Sequence, residues 1–111
     1  MKVEQQQIGT VDVLTPIGAL IEQDAERFAR TLLERLGSAN ARAVVDLHEV
    51  PYMDSTALEG LLAASEEVAD RATGLKLASV TPTCREILEL TGIANRFRFF
   101  ETVQDAVKSF L

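Results

Sequence analysis

The residues best placed to do chemistry are Asp54, Ser55 and Thr56, inside the stretch "VPYMDSTALEGLL". An apolar run ends there and a helix-like pattern begins at once. Read locally, the cluster is a helix start. Thr56 and Glu59 have the T-x-x-E spacing of a capping box, so Ser55 or Thr56 is the expected cap, with Asp54 favouring the positive helix end. The same physics allows a second use. A helix N-terminus presents unpaired N–H groups and a partial positive charge, and it receives a phosphate readily. A phosphate on Ser55 adds about −1.5 to −2 charges right beside the carboxylate of Asp54. A surface that binds a partner through Ser55 would be switched off by that charge and bulk, with little change of fold.

Other reactive side chains are sparse. Asp46, Glu49 and Asp54 lie near one another in sequence, but acids in a polar loop are ordinarily solvated. Cys84 is the single cysteine and His48 the single histidine, far apart in sequence. One cysteine cannot close an internal disulfide or build a multi-cysteine zinc site, and Cys84 reads as a small half-buried residue. The chain carries no phosphate-cradling Gly-rich loop, metal-binding motif or nucleophile elbow. It is read as a non-enzyme, with no catalytic residues, no bound metal and no cofactor of its own.

The elements that position these residues follow from periodicity. "KVEQQQI" is a weak strand, Gly9-Thr10 punctuates the chain, and "VDVLTPI" alternates as a strand does. So short a link predicts an antiparallel hairpin. Asp24 is the expected cap of a first helix with Ala25, Phe28, Leu32, Leu33 and Leu36 inward and Gly37 at its stop. "ARAVVDL" is a β-branched run of the kind covered on both faces, ending near Leu47. A second helix runs through Leu58, Leu61, Leu62, Ser65, Val68, Ala69 and Ala72 to a break at Gly74. "LKLASV" is a strand. Thr81-Pro82 opens a third helix, proline costing little at the first helical position; Ile87, Leu88 and Leu90 form its apolar side and Gly92 ends it. In "NRFRFF" a strand reading alternates outward Arg96 and Arg98 with inward Phe97 and Phe99. Thr102 caps a last helix with Val103, Ala106, Val107 and Phe110 inward. The order β-β-α-β-α-β-α-β-α predicts an α/β fold. Parallel strands joined through helices, plus the opening hairpin, make a mixed sheet of four to five strands with about four helices.

The chain has 111 residues, the commonest size for one domain with its own core, so residues 1–111 are expected to form a single unit. It lacks a long apolar run for a membrane span and a secretory signal, which makes a cytoplasmic protein without membrane insertion the expectation. The net charge is −6, with 17 acids against 11 bases, which argues against direct nucleic-acid binding.

"AVVDLHEVPYMDSTALEGLLAA" resembles the signature of STAS domains, specifically the stand-alone anti-sigma-factor antagonists of bacterial sporulation and stress signalling. The family pattern is an apolar strand ending in Asp, a short loop, then Asp-Ser-Ser-Gly-Leu opening a helix. It is matched by Asp46, Val50, Met53, Asp54, Ser55, Thr56 and Leu58. "CREILELTGIANRF" and "TVQDAVKSFL" are similar to later parts of the family, so the resemblance covers nearly the whole chain. It implies a STAS fold and a bacterial protein acting by partner switching in transcription regulation. The implied partners are a histidine-kinase-type ATPase, which is both serine kinase and anti-sigma factor and itself holds the ATP, and a metal-dependent serine phosphatase. Ser55 is the implied phosphoacceptor, in a partner-binding surface of Asp54, Ser55, Thr56, Ala57, Met53, Ile21 and Glu22. Two positions depart from the family. Ala57 stands where Gly is common. Ile21 stands where many antagonists carry an Asp near the acceptor; an exposed Ile21 makes the contact more apolar, while Glu22 and Asp24 should point elsewhere.

Three rival readings exist. A response-regulator receiver has similar alternation, but its Mg²⁺-holding acidic pair is missing after the first strands. A STAS module can serve as a scaffold in a signalling assembly or a lipid-transport complex without phosphate turnover, and Ile21 favours that. An enzyme has no motif to support it.

Overall fold

The computed structural model describes residues 1–69 and 74–111. Seven-residue strands β1 (Lys2–Ile8) and β2 (Val11–Ile17) form the expected hairpin, antiparallel from Lys2↔Ile17 to Ile8↔Val11, turning at Gly9 in a left-handed conformation. Then follow α1 (Glu22–Arg35), β3 (Ala43–Asp46), α2 (Ser55–Glu67), β4 (Leu75–Ala78), α3 (Pro82–Leu90), a short 3-10 turn (Ala94–Arg96), β5 (Phe99–Phe100) and α4 (Val103–Lys108). The strands lie in the order β1-β2-β3-β4-β5, with β2 to β5 mutually parallel. This is the mixed α/β sheet that alternation predicts.

The two faces of the sheet are covered unequally. On one, Leu14, Val45 and Leu77 meet Ala25, Phe28 and Leu32 of α1, Ala57, Leu61 and Ala64 of α2, and Cys84 and Leu88 of α3. On the other, Val11, Val13, Val44 and Ala78 meet Ala106 of α4, flanked by Val103, Val107 and Phe110. All four β3 residues are buried, as a central strand packed on both faces requires.

Several local expectations are corrected. Helix α1 begins at Glu22, with Ile21 in the capping position, so Asp24 lies in the first turn. Leu61 and the C-cap Val68 are buried as expected, while Leu58, Leu62 and Ser65 are half-buried, Ala57 and Ala64 complete the buried stripe, and Ala69 is exposed beyond the end of α2 at Glu67. The placement of Ala72 lies outside the described residues. Leu90 points to solvent at 78% exposure, so Cys84 and Leu88 form the inward side of α3. Cys84 is fully buried rather than half-buried. Phe97 and Phe99 do turn inward and Arg96 and Arg98 outward, but the strand covers only Phe99 and Phe100, because Arg96 closes the 3-10 turn. Pro82 at the start of α3 and Thr102 as cap of α4 stand as expected.

Candidate functional site

The site forms where the loop after β3 meets the loop after β2. Met53 bridges Leu20 in parallel fashion, the Leu20 N–H donates to the Tyr52 carbonyl at 3.1 Å, and the Asp54 N–H donates to the Leu20 carbonyl at 3.1 Å. The Gly18 N–H reaches the Glu49 carbonyl at 3.0 Å. From the α3 side, the Thr81 hydroxyl and the Cys84 thiol both donate to the Val50 carbonyl, at 2.8 and 3.3 Å. The residues leading to the Asp-Ser-Thr cluster are thus tied to two neighbouring elements.

The cap of α2 is Asp54, which corrects the expectation of Ser55 or Thr56. One Asp54 carboxylate oxygen accepts the Ala57 N–H at 3.1 Å and the other accepts the Glu22 N–H at 2.8 Å. A single side chain therefore serves the first turns of both α1 and α2. Glu22 has φ +50°, a left-handed conformation costing roughly 1 kcal/mol or more for a residue with a Cβ; the bond to Asp54 holds it there. The hydrogen bond from Glu22, followed by that from Ala57, pulls the Asp54 pKa below the usual carboxylate value. Asp54 is therefore anionic at neutral pH.

This assignment changes the role of its neighbours. Ser55 is the first residue of α2, exposed, and its hydroxyl has no hydrogen-bond partner among the described residues. Thr56 is half-buried in the first turn, so its T-x-x-E spacing to Glu59 is not a capping box. Ile21 is half-buried rather than exposed, and Glu22 is exposed and meets Asp54 through its backbone N–H. Ala57 and Met53 are both only 4% exposed. These two shape the site from below and offer no surface to a partner. Tyr52, by contrast, is 46% exposed beside Met53. Sequence reasoning passed over it, although an aromatic residue preceding a predicted functional cluster was a usable signal.

The remaining acids do not gather. Asp46 is buried and accepts both the His48 backbone N–H at 3.1 Å and a His48 ring contact at 2.8 Å. That bond to Asp46 raises the His48 pKa above its ordinary value, against a smaller opposing effect of burial. No group of three or more metal-ligating side chains occurs among the described residues. Burial pushes the Cys84 thiol pKa up, which makes it a poor nucleophile.

A family model for the STAS domain matches residues 2–106. The chain belongs to the STAS domain family. A STAS-domain containing protein of Pseudomonas aeruginosa is 32% identical over 69 residues, which are 62% of this chain and 68% of that protein. Among solved structures, a candidate anti-sigma factor antagonist of Thermotoga maritima superposes with TM-score 0.87 at 18% identity, over 97% of this chain and 93% of its own. The Bacillus anti-sigma factor antagonist SpoIIAA in its unphosphorylated form gives TM-score 0.79 at 16% identity, over 97% and 95%. The phosphorylated form gives 0.75 at 16%, over 99% and 100%. These likenesses establish the STAS fold, with its five-strand mixed sheet and four helices. No helix among the described residues is long and apolar enough to cross a membrane.

Proposed function

We propose that this STAS domain is an anti-sigma-factor antagonist that binds a histidine-kinase-type ATPase acting as anti-sigma factor, and that phosphorylation of Ser55 by that kinase ends the binding. The observation that carries the reading is the free Ser55 hydroxyl. It stands exposed on the first turn of α2 because Asp54 has taken the capping role. The fold it shares with a Bacillus antagonist solved in both unphosphorylated and phosphorylated forms supports it.

In the proposed step the Ser55 Oγ forms a bond to the γ-phosphorus of ATP held by the partner, ADP leaves, and the hydroxyl proton passes to a base of the kinase. The new phosphate lies next to the Asp54 carboxylate, whose low pKa keeps it charged. Two anionic groups then occupy a face that was closed by one, and an interface built on the uncharged hydroxyl loses its complementarity. A metal-dependent phosphatase then adds water to the phosphorus, the bond from Oγ to phosphorus breaks, inorganic phosphate leaves, and Oγ takes back a proton. Within this reading the contact surface is Ser55, Thr56, Ile21, Glu22 and Asp54. It is a non-enzymatic, cytoplasmic role for residues 1–111 as one unit.

A scaffold role without phosphate turnover is the second reading, favoured by the apolar Ile21 beside Asp54. Incubation with the cognate kinase and ATP, followed by mass-spectrometric mapping, separates them. Modification at Ser55 supports the switch; stable binding with no modification of Ser55 gives the scaffold.

A further inference from the structure

The opposite end of the sheet from Ser55 carries an arrangement that antagonist binding does not use. Lys76 on β4 is only 9% exposed, which is rare for a lysine without an acidic partner. Its ammonium donates to the Ser109 hydroxyl at 2.6 Å and sits 3.8 Å from the Phe110 ring centroid and 5.7 Å from that of Phe100. No carboxylate pairs with it among the described residues.

Two more cations lie on the same face, one on either side of Lys76. Register places Val44 beside Lys76 and Leu77 beside Phe99, so Arg98 is level with Lys76 on the adjacent strand and Arg42 is one step diagonal on the other side. Side-chain alternation puts all three on the α4 face of the sheet. With strands about 5 Å apart, the first side-chain atoms of Arg98 and Arg42 lie roughly 5 and 8 Å from that of Lys76, and about 12 Å from each other across it. The Arg98 guanidinium carbon is 5.3 Å from the Phe100 centroid, the same ring that Lys76 approaches. The Arg42 guanidinium donates to the Thr10 hydroxyl at 3.3 Å, on the β2 side of β3.

Burial, then the charges of Arg98 and Arg42, depress the Lys76 pKa. The end of α4, where Ser109 is the capping residue, offers only a partial negative charge to set against this. In a chain of net charge −6, three cations kept together without a paired acid are a cost that folding alone does not require, since an apolar side chain at position 76 would fill the same space. An anion held between the guanidinium groups removes that cost.

We propose that Arg42, Lys76 and Arg98 form a binding site for a small multivalent oxyanion of the phosphate class, with the two arginines as hydrogen-bond donors and Lys76 as a fixed charge behind them. Arginine forks suit tetrahedral oxyanions, and such bonds are charge-assisted.

The test is an NMR titration of the full chain with inorganic phosphate, matched against chloride at equal ionic strength and pH. The expected result is saturable shifts at Arg42, Lys76, Arg98 and Ser109 with phosphate and none with chloride. Arg42→Gln and Arg98→Gln should each weaken phosphate binding about tenfold, the worth of one charge-assisted hydrogen bond, while Arg30→Gln on the exposed side of α1 leaves it unchanged. Lys76→Met, which retains the packing, should also weaken it. Shifts that do not saturate, that chloride reproduces, or that persist in the Arg42→Gln/Arg98→Gln double variant would overturn the proposal.

Discussion

At the start of α4 the Thr102 hydroxyl accepts the Asp105 N–H at 3.0 Å, whereas at the start of α2 the Asp54 carboxylate accepts the Ala57 N–H and Ser55 follows with its hydroxyl unbonded. Both helices begin on residue types that sequence statistics favour as caps. At α4 the hydroxyl oxygen is engaged by the backbone and held in place as a cap. At α2 the capping task falls on the residue before, and that acid also reaches across to the Glu22 N–H of α1. A serine can be structural or available for chemistry depending on which residue of a run occupies the cap, and here the neighbouring loop decides it.

The largest effect that tests this contrast concerns binding. Ser55→Asp should weaken capture of the proposed partner kinase on the order of a hundredfold, because a like charge at an interface costs several kcal/mol; Ser55→Ala should keep it, as calorimetry on the two variants would show. Equal affinities for the two would remove the charge-switch account.

Next in size is a change at the mount of α2. A Cβ on Gly60 would lie 2.6 Å from the Ala29 Cβ of α1, so Gly60→Ala must push the helices apart. It should cost about 1–3 kcal/mol in denaturant unfolding, and it should lower partner affinity as well if the α1–α2 spacing sets the site.

Thr102→Ala should cost about 1 kcal/mol, since it removes a cap, while Ser55→Ala should stay within about 0.5 kcal/mol of the parent. That pair is the direct measure of one hydroxyl consumed and the other free. A loss at Ser55 as large as at Thr102 would mean that Ser55 is structural.

The smallest effect is on the acid limb of the stability curve. The folded-state pKa of Asp54 lies below its ordinary value of 3.8. Its contribution is complete above that value and is lost as pH falls through the lower folded-state pKa. Asp54→Asn should flatten this part of the curve relative to the parent, and the Asp54 carboxyl carbon should titrate below 3.8 by NMR.

The order of elements, the hairpin, the buried central strand, Pro82 and Thr102 were all legible, because periodicity and one-residue signals act locally. The cap of α2 was not. Asp54, Ser55 and Thr56 are three cap-competent residues in a row, and the choice rests on the Leu20–Met53 bridge and the Glu22 N–H, contacts that span more than thirty residues. The positive φ of Glu22 had no glycine to announce it. Leu90 misled because apolar type is a weak guide to burial on a short helix, where Cys84 and Leu88 suffice. Ala57 and Ala64 hid in the α2 core because small residues carry little pattern. The cationic end of the sheet escaped because Arg42, Lys76 and Arg98 come from three separate strand regions, and only register brings them level.

The pair of hydrogen bonds accepted by the Val50 carbonyl carries a last consequence. With Thr81 and Cys84 both donating to it, and Glu49, Tyr52 and Leu20 carbonyls each accepting a backbone N–H across the two loops, the segment before Ser55 is set before any partner arrives. A docking protein then spends little of its binding energy on freezing that segment. In the proposed switch, encounter is then a matter of orientation and charge, and a single added phosphate would suffice to reverse it.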